Sequence, residues 1–167
     1  MNTNIFGKEY ARELEAEVAA SRKCLERMDE KLFSYKPHEK SMEMGYLAVL
    51  VADVPKWIAV TIERGEIDFA TWERYKLTTK DELVKYFEQN IAAAKHALEN
   101  TTDETLEEMF YLKAGGKELM KSTKKETVSS SLNHWVHHRG QLTVYMRLNN
   151  IPVPSIYGPS ADDRSFG

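Results

Sequence analysis

His134 and His138 lie four residues apart in a segment with helical patterning, so their imidazoles stand one turn apart on one face. Two ring nitrogens at that spacing converge on a single ion, as in zinc, nickel or iron sites that take two ligands from one helix. The same spacing also suits two histidines that are satisfied by hydrogen bonds in a partly buried polar seam. At about 100° per residue, Thr127, Ser130, His134, His138, Gln141 and Tyr145 share one arc of this helix, while Val128, Leu132, Trp135, Leu142 and Met146 share the neighbouring one. A solvent face would normally carry Lys and Glu. This one carries hydroxyls, an amide, imidazoles and a phenol, groups that hydrogen-bond or bind metal without a formal charge. Arg139 falls within the apolar arc and needs a buried partner. His137 faces away from His138 and reads as a surface imidazole; His38 and His96 have no visible partner.

Four long segments show helical periodicity, and these must position the histidines. The first runs from Lys8 to Leu32, with Tyr10, Leu14, Val18, Cys24, Leu25, Met28 and Leu32 on its apolar stripe. The second starts at Ser41, read as its N-cap, and runs to Glu63; it is apolar nearly all round, with a kink expected ahead of Pro55. The third opens on a capping-box pattern, Thr79-Lys80-Asp81-Glu82, and carries Leu83, Phe87, Ile91, Ala94 and Leu98 inward to about residue 100. The fourth opens on a second such pattern, Thr123-Lys124-Lys125-Glu126, and ends at Asn149, before Pro152 and Pro154. Between the third and fourth, a short helical turn near residues 101–108 and the pair Gly115-Gly116 read as an irregular crossover. The basic run Lys121-Ser122-Thr123-Lys124-Lys125 reads as a solvated loop entering the last helix. The expected fold is all-α: one domain over residues 1–167, built as a four-helix bundle with a long crossover.

Composition narrows the function classes. With 23 basic and 26 acidic residues the net charge is −3, which argues against a nucleic-acid partner. Cys24 is the only cysteine, so no intrachain disulfide forms. The start Met1-Asn2-Thr3-Asn4 has no basic region followed by an apolar stretch, so no signal peptide is expected. The most apolar segment, Tyr46 to Ala52, is expected to fall short of a membrane span. A cytoplasmic protein without membrane contact is the resulting expectation.

The string from His134 through Asn149, continued by Val153-Pro154-Ser155-Ile156-Tyr157-Gly158-Pro159, closely resembles the end of DinB/YfiT-like proteins. Gly45-Tyr46-Leu47-Ala48 and Val51-Ala52-Asp53-Val54-Pro55-Lys56-Trp57 resemble that family's second helix. The resemblance implies a four-helix bundle with up-down-down-up connectivity, often homodimeric, and a metal site of three histidines. Two of these match His134 and His138. The third comes from the second helix, where this chain has Leu50. Leucine cannot coordinate, and two imidazoles bind a divalent ion far more weakly than three ligands do. Asp53, one turn on, and Glu43, two turns back, are the carboxylates available as a replacement.

Two functions follow from the resemblance. One is a divalent-metal (Zn, Ni or Fe) hydrolase or a transferase of low-molecular-weight thiols, in which Gln141 and Tyr145 contact substrate. The other is a stress-associated homodimer or small-ligand binder that keeps the fold and has lost the metal. Leu50 favours the second.

Overall fold

In the computed structural model, which describes residues 3–165, α1 spans Phe6–Glu26, α2 Met44–Arg64 and α3 Lys80–Asn100. A short α4 (Asp103–Glu107) follows, and α5 spans Lys124–Leu148. Met1, Asn2, Phe166 and Gly167 lie outside the described residues, and with them half of the stretch read for a leader. Helices α1 and α2 sit diagonally, each packed between α3 and α5. The apolar stripes of the sequence meet in one core. Leu14 and Leu25 come from α1, Leu83 and Phe87 from α3, and Leu132, Trp135 and Leu142 from α5. Cys24 is buried with them, and that burial pushes its thiol pKa up to about 11, which keeps it unreactive at neutral pH.

Helix α2 is the central element. By length and composition it could cross a membrane, with a mean hydropathy of 1.5, so its apolar run extends well beyond Tyr46–Ala52. Yet 78% of that window is buried within the bundle, the environment of a core helix.

Two helix ends differ from the sequence expectation. Helix α1 stops at Glu26, and Asp29 caps a separate 3-10 turn at Glu30–Leu32 by accepting from the Lys31 N–H at 3.0 Å. Because that turn is itself helical, Met28 and Leu32 keep the spacing, and periodicity alone ran on through the break. Ser41 is not an N-cap either. Helix α2 starts at Met44 with no side-chain cap, because Met44 N–H donates to the Tyr35 carbonyl (2.9 Å) and Gly45 N–H to the Phe33 carbonyl (2.8 Å). The preceding loop thus satisfies donors that a capping side chain would serve. The helix continues through Pro55. Thr79 and Thr123 do cap α3 and α5, the latter in a complete capping box with Glu126.

The crossover is ordered rather than irregular. Strands β1 (Glu66–Asp68), β2 (Met109–Ala114) and β3 (Lys117–Thr123) form a sheet in that order, β1 parallel and β3 antiparallel to β2. Gly115 and Gly116 have φ of 60° and 79°, the left-handed pair that a two-residue hairpin turn requires. The basic run is therefore not a solvated loop: it ends β3 and begins α5. Lys124 is buried, donating to the Ile62 carbonyl at 3.0 Å and pairing with Glu108 at 2.7 Å. Phe110 of β2 packs on Val60 and Ile67, with Trp57 and Trp72 alongside. Asp68 ties the sheet to the next loop. Its carboxylate accepts from Gly115 N–H (2.8 Å), Gly116 N–H (2.7 Å) and Ala70 N–H (2.8 Å), bonds that hold its pKa below the usual carboxylate range. The sheet so fixes the start of the loop that walls the site.

Candidate ligand site

Within α5 the two histidines meet as their spacing indicates. His134 Nε2 and His138 Nε2 are 2.7 Å apart, and His138 Nδ1 is 2.8 Å from Gln141 Oε1. An amide oxygen only accepts, so His138 carries its proton on Nδ1 and its Nε2 accepts from the His134 Nε2–H. The result is a directed chain from His134 through His138 to Gln141. Burial lowers both imidazole pKa values below 6.5. The charges of His138 and His137 add to this at His134; at His138 the Gln141 bond opposes it and the His137 charge adds. Both rings are therefore neutral at pH 7. His137 is exposed, as read, but it is not remote: its ring centroid lies 5.3 Å from that of His138.

The remaining sequence candidates divide. Tyr145 is turned into the packing, its hydroxyl donating to the Met42 carbonyl at 3.1 Å and its ring edge-on to Tyr35. Arg139 has the partner it needs: it pairs with Glu17 at 2.5 Å and donates to Ser21 Oγ at 3.2 Å and Tyr157 Oη at 3.0 Å. Glu43 is exposed and faces Lys36 at 3.9 Å. Asp53 is only 6% exposed. Its Oδ2 accepts from the indole N–H groups of Trp57 and Trp72, both at 3.3 Å, and its Oδ1 accepts from the Tyr86 hydroxyl. Burial, reinforced by that bond, raises the Tyr86 pKa far above its ordinary value.

Beside this cluster, between α2 and the loop after β1, lies a cavity of about 350 Å³. Leu50 and Asp53 are in its wall, but neither histidine is. Tyr46, Trp57, Phe69, Trp72 and Tyr75 give much of the lining its aromatic character. Trp57 meets Trp72 with ring centroids 5.7 Å apart and Phe69 at 5.9 Å, and Tyr75, also in the wall, stacks on Tyr86 at 4.1 Å. Trp57 also lies edge-on to His134 at 6.0 Å, so one side chain joins the cavity to the histidine pair.

The model of the DinB family matches residues 1–164. The chain belongs to the DinB family. Among solved structures, a DinB-like protein of Bacillus subtilis (YjoA) is 23% identical with a TM-score of 0.69, over 93% of this chain and 99% of that one. A DinB-like protein of Bacillus cereus is 18% identical with a TM-score of 0.68, over 94% and 100%. At these identities they share the fold. No curated protein matches.

As a DinB protein, the chain shows no three-ligand metal centre among its described residues. Among the described residues no group of three or more His, Cys, Asp or Glu side chains is arranged to hold an ion. Two nitrogens bound to one tetrahedral zinc at about 2.05 Å would lie about 3.3 Å apart. At 2.7 Å the histidine nitrogens are instead at hydrogen-bond distance from each other. Asp53, the substitute ligand, is engaged by three donors.

Sequence reading of this DinB chain missed Phe69, Trp72, Tyr75 and Tyr86. A signal was present, since Phe69, Trp72 and Tyr75 recur at three-residue steps in a stretch flanked by polar residues. Tyr86 gave none, because its partner is 33 residues away.

Proposed function

We propose that this DinB protein is a non-catalytic binder of a small organic ligand, held in the cavity walled by Leu50, Trp57 and Trp72. The observation that carries this reading is the commitment to protein partners of His134, His138 and Asp53, the groups from which a metal centre would be built. The histidines bond to each other and to Gln141, and Asp53 accepts from Trp57, Trp72 and Tyr86. The open space beside them is aromatic and of a size that suits a small molecule. Leu50, where the family pattern has a histidine, adds apolar wall rather than a ligand atom.

A homodimer belongs to the same proposal. Its support is the outer face of α5, where Val144 (58%) and Leu148 (57%) stand exposed. Light scattering then reads about twice the chain mass of 19.2 kDa.

Titration with a neutral aromatic probe, p-cresol, tests the binding site. Saturable calorimetric binding is expected, and Leu50→Trp, which fills the cavity, abolishes it. A folded parent that shows no saturable binding overturns the reading.

A further inference from the structure

We propose that the ligand of this cavity is a planar aromatic carboxylate, its ring against the indoles of Trp57 and Trp72 and its carboxylate on Arg74. This rests on the cavity being a ligand site.

Charge fixes the polarity. The wall holds one acid, Asp53, which is buried, and one base, Arg74, which is exposed. An anionic group placed at the Asp53 end would meet a like charge at low dielectric. The anion of the ligand therefore points outward, to Arg74. Among the described residues the Arg74 guanidinium makes no hydrogen bond or ion pair, a state it shares with Arg64 and Arg164, and of these three it is the one that lines this cavity. A guanidinium presents the planar fork that a carboxylate matches in two parallel hydrogen bonds. A cationic ligand would meet this free arginine at the open end of the cavity. At the inner end Asp53 accepts three hydrogen bonds, and a carboxylate has about four acceptor sites, so one remains for a hydroxyl or N–H of the ligand. An aromatic carboxylate with a phenolic hydroxyl at its far end satisfies both ends.

Calorimetry with three probes of one ring type tests this: 4-hydroxyphenylacetate (anionic), p-cresol (neutral) and tyramine (cationic). The expected order is 4-hydroxyphenylacetate about tenfold tighter than p-cresol, with tyramine weakest. Arg74→Ala removes the preference for the anion over p-cresol, and Arg74→Glu turns the preference toward tyramine. Equal binding of anion and neutral probe, an anion preference that survives in Arg74→Ala, or tightest binding of tyramine overturns the carboxylate assignment while the cavity stays a binding site. Failure of all three probes to bind the folded parent overturns the assignment and the ligand site together.

Discussion

His134 donates from Nε2 to Nε2 of His138 across 2.7 Å, and Gln141 Oε1 accepts from the His138 Nδ1–H. This arrangement needs His138 neutral, and burial disfavours charge on either ring. Protonating His138 puts a second N–H into a contact that has one acceptor, whereas protonating His134 adds a charge at Nδ1 inside a partly buried pair.

The pH dependence of stability follows from that pair. Burial lowers both pKa values below the ordinary 6.5. The unfolded chain thus takes up protons at a higher pH than the folded one. The stabilisation is fully present above pH 6.5 and is lost as pH falls from there through the folded values. The melting temperature should decline over that window, and His134→Gln should flatten the decline. Parallel curves for parent and variant would show that the pair does not titrate as described.

The Asp53 cluster should be sensitive to the loss of one acceptor. Asp53→Asn places an amide N–H₂ among three donors, and urea unfolding should show a loss of about 1–3 kcal/mol. Tyr86→Phe should cost about 1 kcal/mol, since it removes one bond and leaves the other two. A neutral effect of Asp53→Asn would mean that the carboxylate is not the hub of Trp57, Trp72 and Tyr86.

Arg139 and Glu17 form a pair in which the side chains are 2% and 13% exposed. Glu17→Gln leaves a buried guanidinium without its counter-charge, so a loss of about 3 kcal/mol is expected. Tyr157 shares this network through Arg139 and through Glu17 Oε1 at 3.0 Å. Limited proteolysis should therefore cut the C-terminal segment faster in the variant. An unchanged cleavage rate would place the anchoring of that segment elsewhere.

Much of this was legible in the chain because it depends on local spacing. The core stripes of α1, α3 and α5, the caps at Thr79 and Thr123 and the pairing of His134 with His138 all follow from residues within a turn or two of each other. Arg139 was flagged by its place on an apolar arc, although Glu17 lies 122 positions away. The sheet was not legible. Strand β1 is three residues long and pairs with a strand more than forty positions later, so it has no pattern of its own. The site suffered for the same reason. Asp53 looked available as a ligand because Trp72 and Tyr86, which bind it, come from a loop and a helix whose approach to α2 only the tertiary fold decides.

Leu50→His supplies the imidazole that the family pattern has at this position. The variant should gain zinc affinity of at least about tenfold over the parent, with the His134–His138 bond opening to admit the ion. No gain would mean that the α2 and α5 positions no longer face a common point.

The histidine pair is closed on itself rather than poised for a metal. The most direct test is a zinc titration of tag-free parent protein by calorimetry, paired with melting curves in EDTA. No saturable uptake at low micromolar zinc is expected, and chelator should leave the melting temperature unmoved. One equivalent of zinc bound with submicromolar affinity, or a fall of several degrees in EDTA, would contradict it.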